Sequence, residues 1–260
     1  MKRSYSLVLW ILIFAILDIY ANLLPKYLPQ DQIWLWMLYW GGFFIISFLT
    51  TKYVLNLNGF RPLGLHLHKH WWKNLFLGFI VGTLVFFVKY LCYYGMGMFR
   101  VTGWMDAEYI AKLLGTAFLA MLFASAINDT LIRGYWLAFC SNKSCIKWYI
   151  LLVTFLYALD DSWNEGLNVS NIAYSLVLGL SLAYSVYKTR SIWMSIGLHW
   201  GSNVLFRAMY GFNNKGVLKV EPVAEGMKYY FAGLVITAAM FPIVFMLLRN
   251  PRFYGKQLAE

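Results

Sequence analysis

An all-α, polytopic membrane protein of about eight transmembrane helices around an intramembrane polar cavity is the fold class this sequence predicts. Three observations carry the prediction. Of 260 residues, 61% are hydrophobic and 20% aromatic, with only 13% charged, a composition foreign to soluble domains. Apolar runs of about 18 residues or more, the length that spans a bilayer, recur along the whole chain. Finally, ionisable and amide residues interrupt several of these runs, where a charge costs at least about 3 kcal/mol and marks a candidate functional position. The chain reads as a single integral domain over residues 1–260, with no internal repeat, low-complexity tract or soluble insert.

The net charge of +11 is read as cytoplasmic loop charge beside anionic lipid. No Lys/Arg-rich tract with interleaved aromatics lies outside the apolar runs, which excludes nucleic acid as a partner. Cys92, Cys140 and Cys145 are too few and too scattered for a disulfide framework or a zinc knuckle.

The first span covers about residues 6–24, behind Lys2 and Arg3. Asp18 interrupts it and no A-x-A site follows, so it reads as an uncleaved span in which Asp18 has a structural role. The second, residues 33–55, holds Gly41 and Gly42, which would allow a close helix contact. The loop at 56–70 is basic and carries His66, His68 and His70. Alternating histidines suggest a metal, but i,i+2 residues do not share a helix face, and Trp71 and Trp72 follow as an interfacial belt.

The third span, residues 72–95, has Gly78 and Gly82 in small-xxx-small spacing, and Lys89 is expected to snorkel near its far end. Residues 96–107 read as a short polar link. The fourth span, residues 108–140, would be about 50 Å long against a hydrocarbon core of about 30 Å, so it must tilt, bend near Asn128 or protrude. The fifth (146–162) ends in Asp160 and Asp161. The sixth covers 169–187, and the seventh (191–210) carries His199, Asn203 and Arg207 at i,i+4,i+8, one polar stripe. The eighth covers 229–248, ahead of a short basic tail.

Eight crossings put both termini on one side. That side holds Lys2, Arg3, Arg61, Lys69, Lys73, Lys143, Lys147, Lys188, Arg190, Arg249, Arg252 and Lys256; the other holds Lys26, Arg100, Lys215, Lys219 and Lys228. The balance makes both termini cytoplasmic, in a multi-pass protein of the cell membrane.

The fourth span contains the densest chemistry, in the stretch ASAINDTLIRGYWLAF over residues 124–139. Asp129 and Arg133 are spaced i,i+4 and can neutralise each other on one face; by itself such a pair could simply lock helices together. Depth adds to it. Asp129 lies 14 residues before Lys143 and Asp161 lies 14 after Lys147, so both sit roughly 20 Å from the cytoplasmic surface. His199 is 9 residues beyond Arg190 and Arg133 is 10 before Lys143. Asn128, Asp129, Arg133, Asp161, His199 and Asn203 are therefore expected to form one buried cluster opening towards the cytoplasmic leaflet.

At these residues the sequence resembles the CPBP family, intramembrane proteases that include the CAAX prenyl endopeptidases and bacteriocin-processing or self-immunity proteins. Its pattern is Glu-Glu-x-x-x-Arg, Phe-x-x-x-His and His-x-x-x-Asn on successive helices. SIWMSIGLHWGSN, residues 191–203, matches the third motif and supplies His199 and Asn203; Gly179 and the turn at 188–190 fit as well. NDTLIRG keeps Arg133 and Gly134 but has Asn128 and Asp129 in place of the two glutamates. For the second motif, Tyr157-x-x-x-Asp161 puts Asp where the family has His; a rival register, 155–159, leaves no polar group. The resemblance covers about residues 65–206.

The resemblance implies that a glutamate polarises water and that histidines and an asparagine stabilise an oxyanion or hold a metal. An amide cannot take a proton at neutral pH, so Asn128 cannot be a general base. Asp129 is one methylene shorter than glutamate and open to being held by Arg133. Asp129, Asp161 and His199 are candidate ligands for zinc or manganese, and no other cofactor is implied.

Two readings follow. One is a protease-type cavity that binds a membrane-anchored or lipidated peptide with catalysis weak or absent. The other is an active CAAX-type endopeptidase using Asp129 or Asp161 with His199 and Asn203. A small-solute or ion transporter would also explain buried polar residues, but the chain lacks paired broken helices and repeated halves. Membrane lipid and a membrane-anchored peptide or protein are the expected partners.

Overall fold

The computed structural model describes residues 7–29, 32–141 and 144–249. Lys2, Arg3, Lys143, Arg252 and Lys256, which enter the charge count, lie outside them. The chain is nearly all helical. Helices α1 (Leu7–Leu23), α2 (Ile33–Leu49) and α3 (Trp71–Gly95) are followed by α4 (Ala107–Asp129) and α5 (Tyr135–Cys140), which one π turn, Thr130–Gly134, joins into a single rod. Then come α6 (Tyr149–Glu165), α7 (Val169–Thr189), α8 (Trp193–Tyr210), α9 (Met227–Ala238) and α10 (Met240–Leu247), the last two end to end.

The described residues thus form eight helical rods. Among the described residues, six are long and apolar enough to cross a membrane: Leu7–Tyr27, Ile33–Val54, Trp71–Gly95, Ala107–Cys140, Val169–Thr189 and Met227–Leu247. The two that fall short of the expected eight are α6, with 17 residues, and α8, with 18. They are the rods with Asp160, Asp161 and Glu165, and with His199, Asn203 and Arg207. The same polar residues that suggest a site dilute the membrane signal of the helices that carry them.

Local chemistry explains the ends. Asp106 caps α4, its carboxylate accepting from the Tyr109 N–H at 2.8 Å, and Asn168 caps α7 through the Asn171 N–H at 2.8 Å. Gly166, at φ +83°, and Gly211, at φ +65°, close α6 and α8 with a positive φ that glycine adopts readily. Near Asn128, one of the places where the sequence allows a bend, the helix widens into the π turn: the Tyr135 N–H reaches back five residues to the Thr130 carbonyl.

Helix α8 is the centre of the bundle. It packs on α3 through four glycines. A Cβ on Gly78 or Gly82 would lie 2.4 or 2.2 Å from the carbonyl oxygens of Met194 and Leu198; one on Gly197 or Gly201 would lie 2.0 or 2.2 Å from those of Leu75 and Phe79. The two backbones touch directly, which only glycine permits. Gly41, expected to make such a contact, has no atom within 4 Å of a Cβ position, whereas Gly42 faces the Tyr20 hydroxyl.

Two further expectations are corrected. The link at 96–107 contains a strand, β1 (Phe99–Trp104), antiparallel to β2 (Leu218–Pro222), with Phe99 opposite Pro222 and Trp104 opposite Leu218. Lys89 does not snorkel. It is buried, its Nζ donating to the Tyr174 hydroxyl at 2.7 Å and lying 3.6 Å from the centre of the Phe86 ring.

The connections sort by end. Pairing of β1 with β2 gathers the α3–α4 and α8–α9 connections at one end. At the other, the loop at 55–70 meets the α7–α8 turn: the Ile192 N–H donates to the Gly64 carbonyl at 3.1 Å, and Trp193 Nε1 to the His66 carbonyl at 3.0 Å. Four rods separate the partners in each case, the even number that alternating passes require.

Candidate functional site

The site grows from the junction of α4 and the π turn. Asp129 is the last residue of α4 and Arg133 lies in the wide turn; both are fully buried. Their expected ion pair forms, Arg133 Nη1 lying 3.3 Å from Asp129 Oδ1. The fold below holds the turn in place: the Tyr149 hydroxyl donates to the Arg133 carbonyl at 2.9 Å, and Gly134 lies against the Leu63 carbonyl.

Helix α8 brings Ser195 and His199 to the same carboxylate. Ser195 Oγ donates to Asp129 Oδ1, and His199 Nδ1 is 3.1 Å from Asp129 Oδ2. Both oxygens of Asp129 are therefore engaged, one by Ser195 and Arg133 and the other by His199. Tyr157 of α6 packs edge-on to the His199 ring at 5.7 Å, and the Arg133 guanidinium lies 4.2 Å from the centre of the Tyr157 ring. That contact covers a guanidinium whose Nε and Nη2 have no hydrogen-bond partner among the described residues.

Asn128 extends the network sideways. Its Oδ1 accepts from Arg133 Nη1 at 2.8 Å, and its Nδ2 donates to Asp160 Oδ2 on α6. Asp160 is buried, and its Oδ1 accepts from Asn22 Nδ2 of α1 at 2.8 Å. The same amide nitrogen is 3.3 Å from Asp18 Oδ1, and Asp18 Oδ2 accepts from Trp163 Nε1 at 3.2 Å. Asp18 is thus tied to the site through Asn22.

Of the sequence-derived candidates, Asn128, Asp129, Arg133 and His199 come together. Asn203 lies one turn further along α8, donating to Ser125 Oγ at 3.4 Å. Asp161 is turned away: it accepts from Ser175 Oγ of α7 at 2.5 Å. Its neighbour Asp160 is the α6 carboxylate that meets α4. Depth along a helix does not fix the direction a side chain faces, and adjacent residues point about 100° apart. Ser195, Asn22 and Asp160 are the members that the sequence reading missed. Ser195 completes the spacing of His199 and Asn203 on α8, and Asn22 lies one turn after Asp18, so both signals were present.

A metal does not fit the expected ligands. Asp161 faces α7, and a guanidinium sits 3.3 Å from the Asp129 carboxylate, occupying the charge a cation would need. Among the described residues no group of three or more His, Cys, Asp or Glu is arranged to hold one. This includes the loop histidines: the His66 and His68 rings lie 5.3 Å apart without a third ligand. Burial pushes both below the ordinary histidine value. His68, also beside His66 and His70, falls to about 4. An open cleft lies at the far end of α8, lined by Phe206, Arg207, Tyr210, Gly211, Phe212 and Asn214.

Residues 110–205 match the family model described as type II CAAX prenyl endopeptidase Rce1-like. The matched stretch contains every site residue on α4, α6 and α8, and leaves Asp18 and Asn22 of α1 outside it. No curated protein and no solved structure matches the chain.

Proposed function

We propose that this multi-pass membrane protein uses its Rce1-like segment to bind a membrane-anchored or lipidated peptide, with hydrolysis weak or absent. The observation that carries the reading is the state of Asp129. It is fully buried and both its oxygens are engaged by Ser195, His199 and Arg133. A carboxylate so held orients an imidazole and neutralises a guanidinium; it has little capacity left to take a proton from water. Asn128, in place of the family's first glutamate, has none. The peptide would meet the half-buried faces of Asn128 and Asn203 and the outer edge of His199. We further place both termini in the cytoplasm and the protein in the cell membrane, on the loop charges.

The test uses the purified full chain in proteoliposomes with membrane-anchored peptides bearing a photo-crosslinker and a fluorescent reporter of cleavage. Crosslinking that drops on His199→Ala or Asn203→Ala, together with slow or undetectable cleavage, is expected. Rapid cleavage abolished by Asp129→Asn in a folded protein would establish the second reading, an active endopeptidase. One observation favours that alternative: a carboxylate, Asp160, does stand against Asn128.

A further inference from the structure

We propose that Asn128 and Asp160 are a matched pair of reversed polarity across the α4–α6 contact, so that the hydrogen-bond acceptor facing Asn128 is a carboxylate on α6, backed by Asn22 of α1. The inference rests on the proposed peptide site and assigns its chemistry.

The argument is one of donors and acceptors. Arg133 can only donate, and the Asp160 oxygen that faces Asn128 accepts. Asn128 lies between one of each, its Oδ1 at 2.8 Å from Arg133 Nη1 and its Nδ2 on Asp160 Oδ2. Its two neighbours therefore fix which way the amide points. A glutamate at 128 would accept from Arg133 but would set a second carboxylate against Asp160. A histidine at 160 would donate back to such a glutamate and accept from Asn22 Nδ2, which now reaches Asp160 Oδ1 at 2.8 Å. The acid–imidazole arrangement and the amide–carboxylate arrangement are each fully satisfied. A glutamate at 128 facing Asp160 is not. The amide at 128 and the carboxylate at 160 thus match each other across the α4–α6 contact, and a glutamate at 128 alone creates a clash. Asp161, bonded to Ser175, plays no part. The backing from Asn22 recruits α1, which lies outside the Rce1-like stretch, into the site.

The experiment compares five full-length variants in proteoliposomes, reading peptide crosslinking, peptide cleavage and thermal melting together. Asn128→Glu with Asp160→His is expected to raise cleavage at least tenfold over wild type, whereas Asn128→Glu with Asp161→His is not. If the first double variant is folded and gains nothing, or if the Asp161 version gains equally, the assignment is overturned. Melting decides the pairing independently of cleavage. The reversed pair Asn128→Asp with Asp160→Asn keeps every hydrogen bond and is expected to melt near wild type, while each single change lowers the midpoint; additive losses overturn the proposal. Absence of crosslinking in wild type would defeat the peptide-site reading and leave the melting comparison to decide the pair.

Discussion

Alanine in place of Gly197 is the sharpest test of how the bundle is held together. The added Cβ would lie 2.0 Å from the Leu75 carbonyl oxygen and 2.8 Å from the Phe79 nitrogen. Carbon–oxygen contact is comfortable only from about 3.3 Å, so α3 and α8 must separate by about 1 Å or one helix must bend. The obstacle is backbone, which cannot swing aside. Overpacking of this kind costs about 1–3 kcal/mol, and the upper end is expected here because Gly201, Gly78 and Gly82 share the seam. For a chain of this size that corresponds to roughly 3–10 °C in the melting midpoint. The control is Gly41→Ala, where nothing lies within 4 Å and removal of a helix-interior glycine leaves stability equal or slightly raised. Both are measured by thermal unfolding in the same detergent. His199 shares α8 with Gly197, so the shift would also loosen the His199–Asp129 contact and reduce peptide crosslinking. Equal melting of the two variants would refute the direct backbone seam.

Arg133→Ala leaves the Asp129 carboxylate buried without its cation, a change that costs about 3–5 kcal/mol when no other group responds. A sharply lower folded yield in membranes is expected, with wild-type yield counting against the pairing. Lys89→Met removes a buried amine with no acidic partner among the described residues and is expected to preserve or raise the melting midpoint; a fall of several degrees would show that the Tyr174 bond matters more than desolvation. In the loop at 55–70, His68 is held neutral in the folded chain with its pKa lowered to about 4, so the unfolded chain binds the extra proton. The stabilisation is therefore complete above the ordinary value of about 6.5 and is lost as pH falls towards 4, which NMR titration of the ring checks; titration near 6.5 would contradict it. Reporter fusions at 211–226 and 96–106 should fall on one side of the membrane and a fusion in 56–70 on the other, and any other pattern would break the alternation of eight rods.

The apolar runs made the rods legible because length and hydropathy alone specify them, and the helix boundaries fall within a few residues of those read from the sequence. The β1–β2 pairing was not legible, since its strands are short and lie on either side of five helices. Within the site, the Asp129–Arg133 pair and the His199 contact followed from i,i+4 spacing and matched depth. The choice between Asp160 and Asp161 did not, because it turns on the rotation of α6, which Ser175 and Asn128 settle from opposite sides. The same rotation turns Asp161 away from Asp129 and His199.

The glycine seam also imposes a timetable on synthesis. Gly78 and Gly82 leave the ribosome well before Gly197 and Gly201, and at roughly 5–20 residues per second the intervening chain takes on the order of ten seconds to make. Throughout that interval α3 must stay in the bilayer with its glycine stripe facing lipid or a temporary companion. A chain halted before α8 would strand α3 in that condition, exposed to quality-control proteases. Survival of the nascent protein therefore depends on how long the half-built bundle is sheltered, as well as on the stability of the finished one.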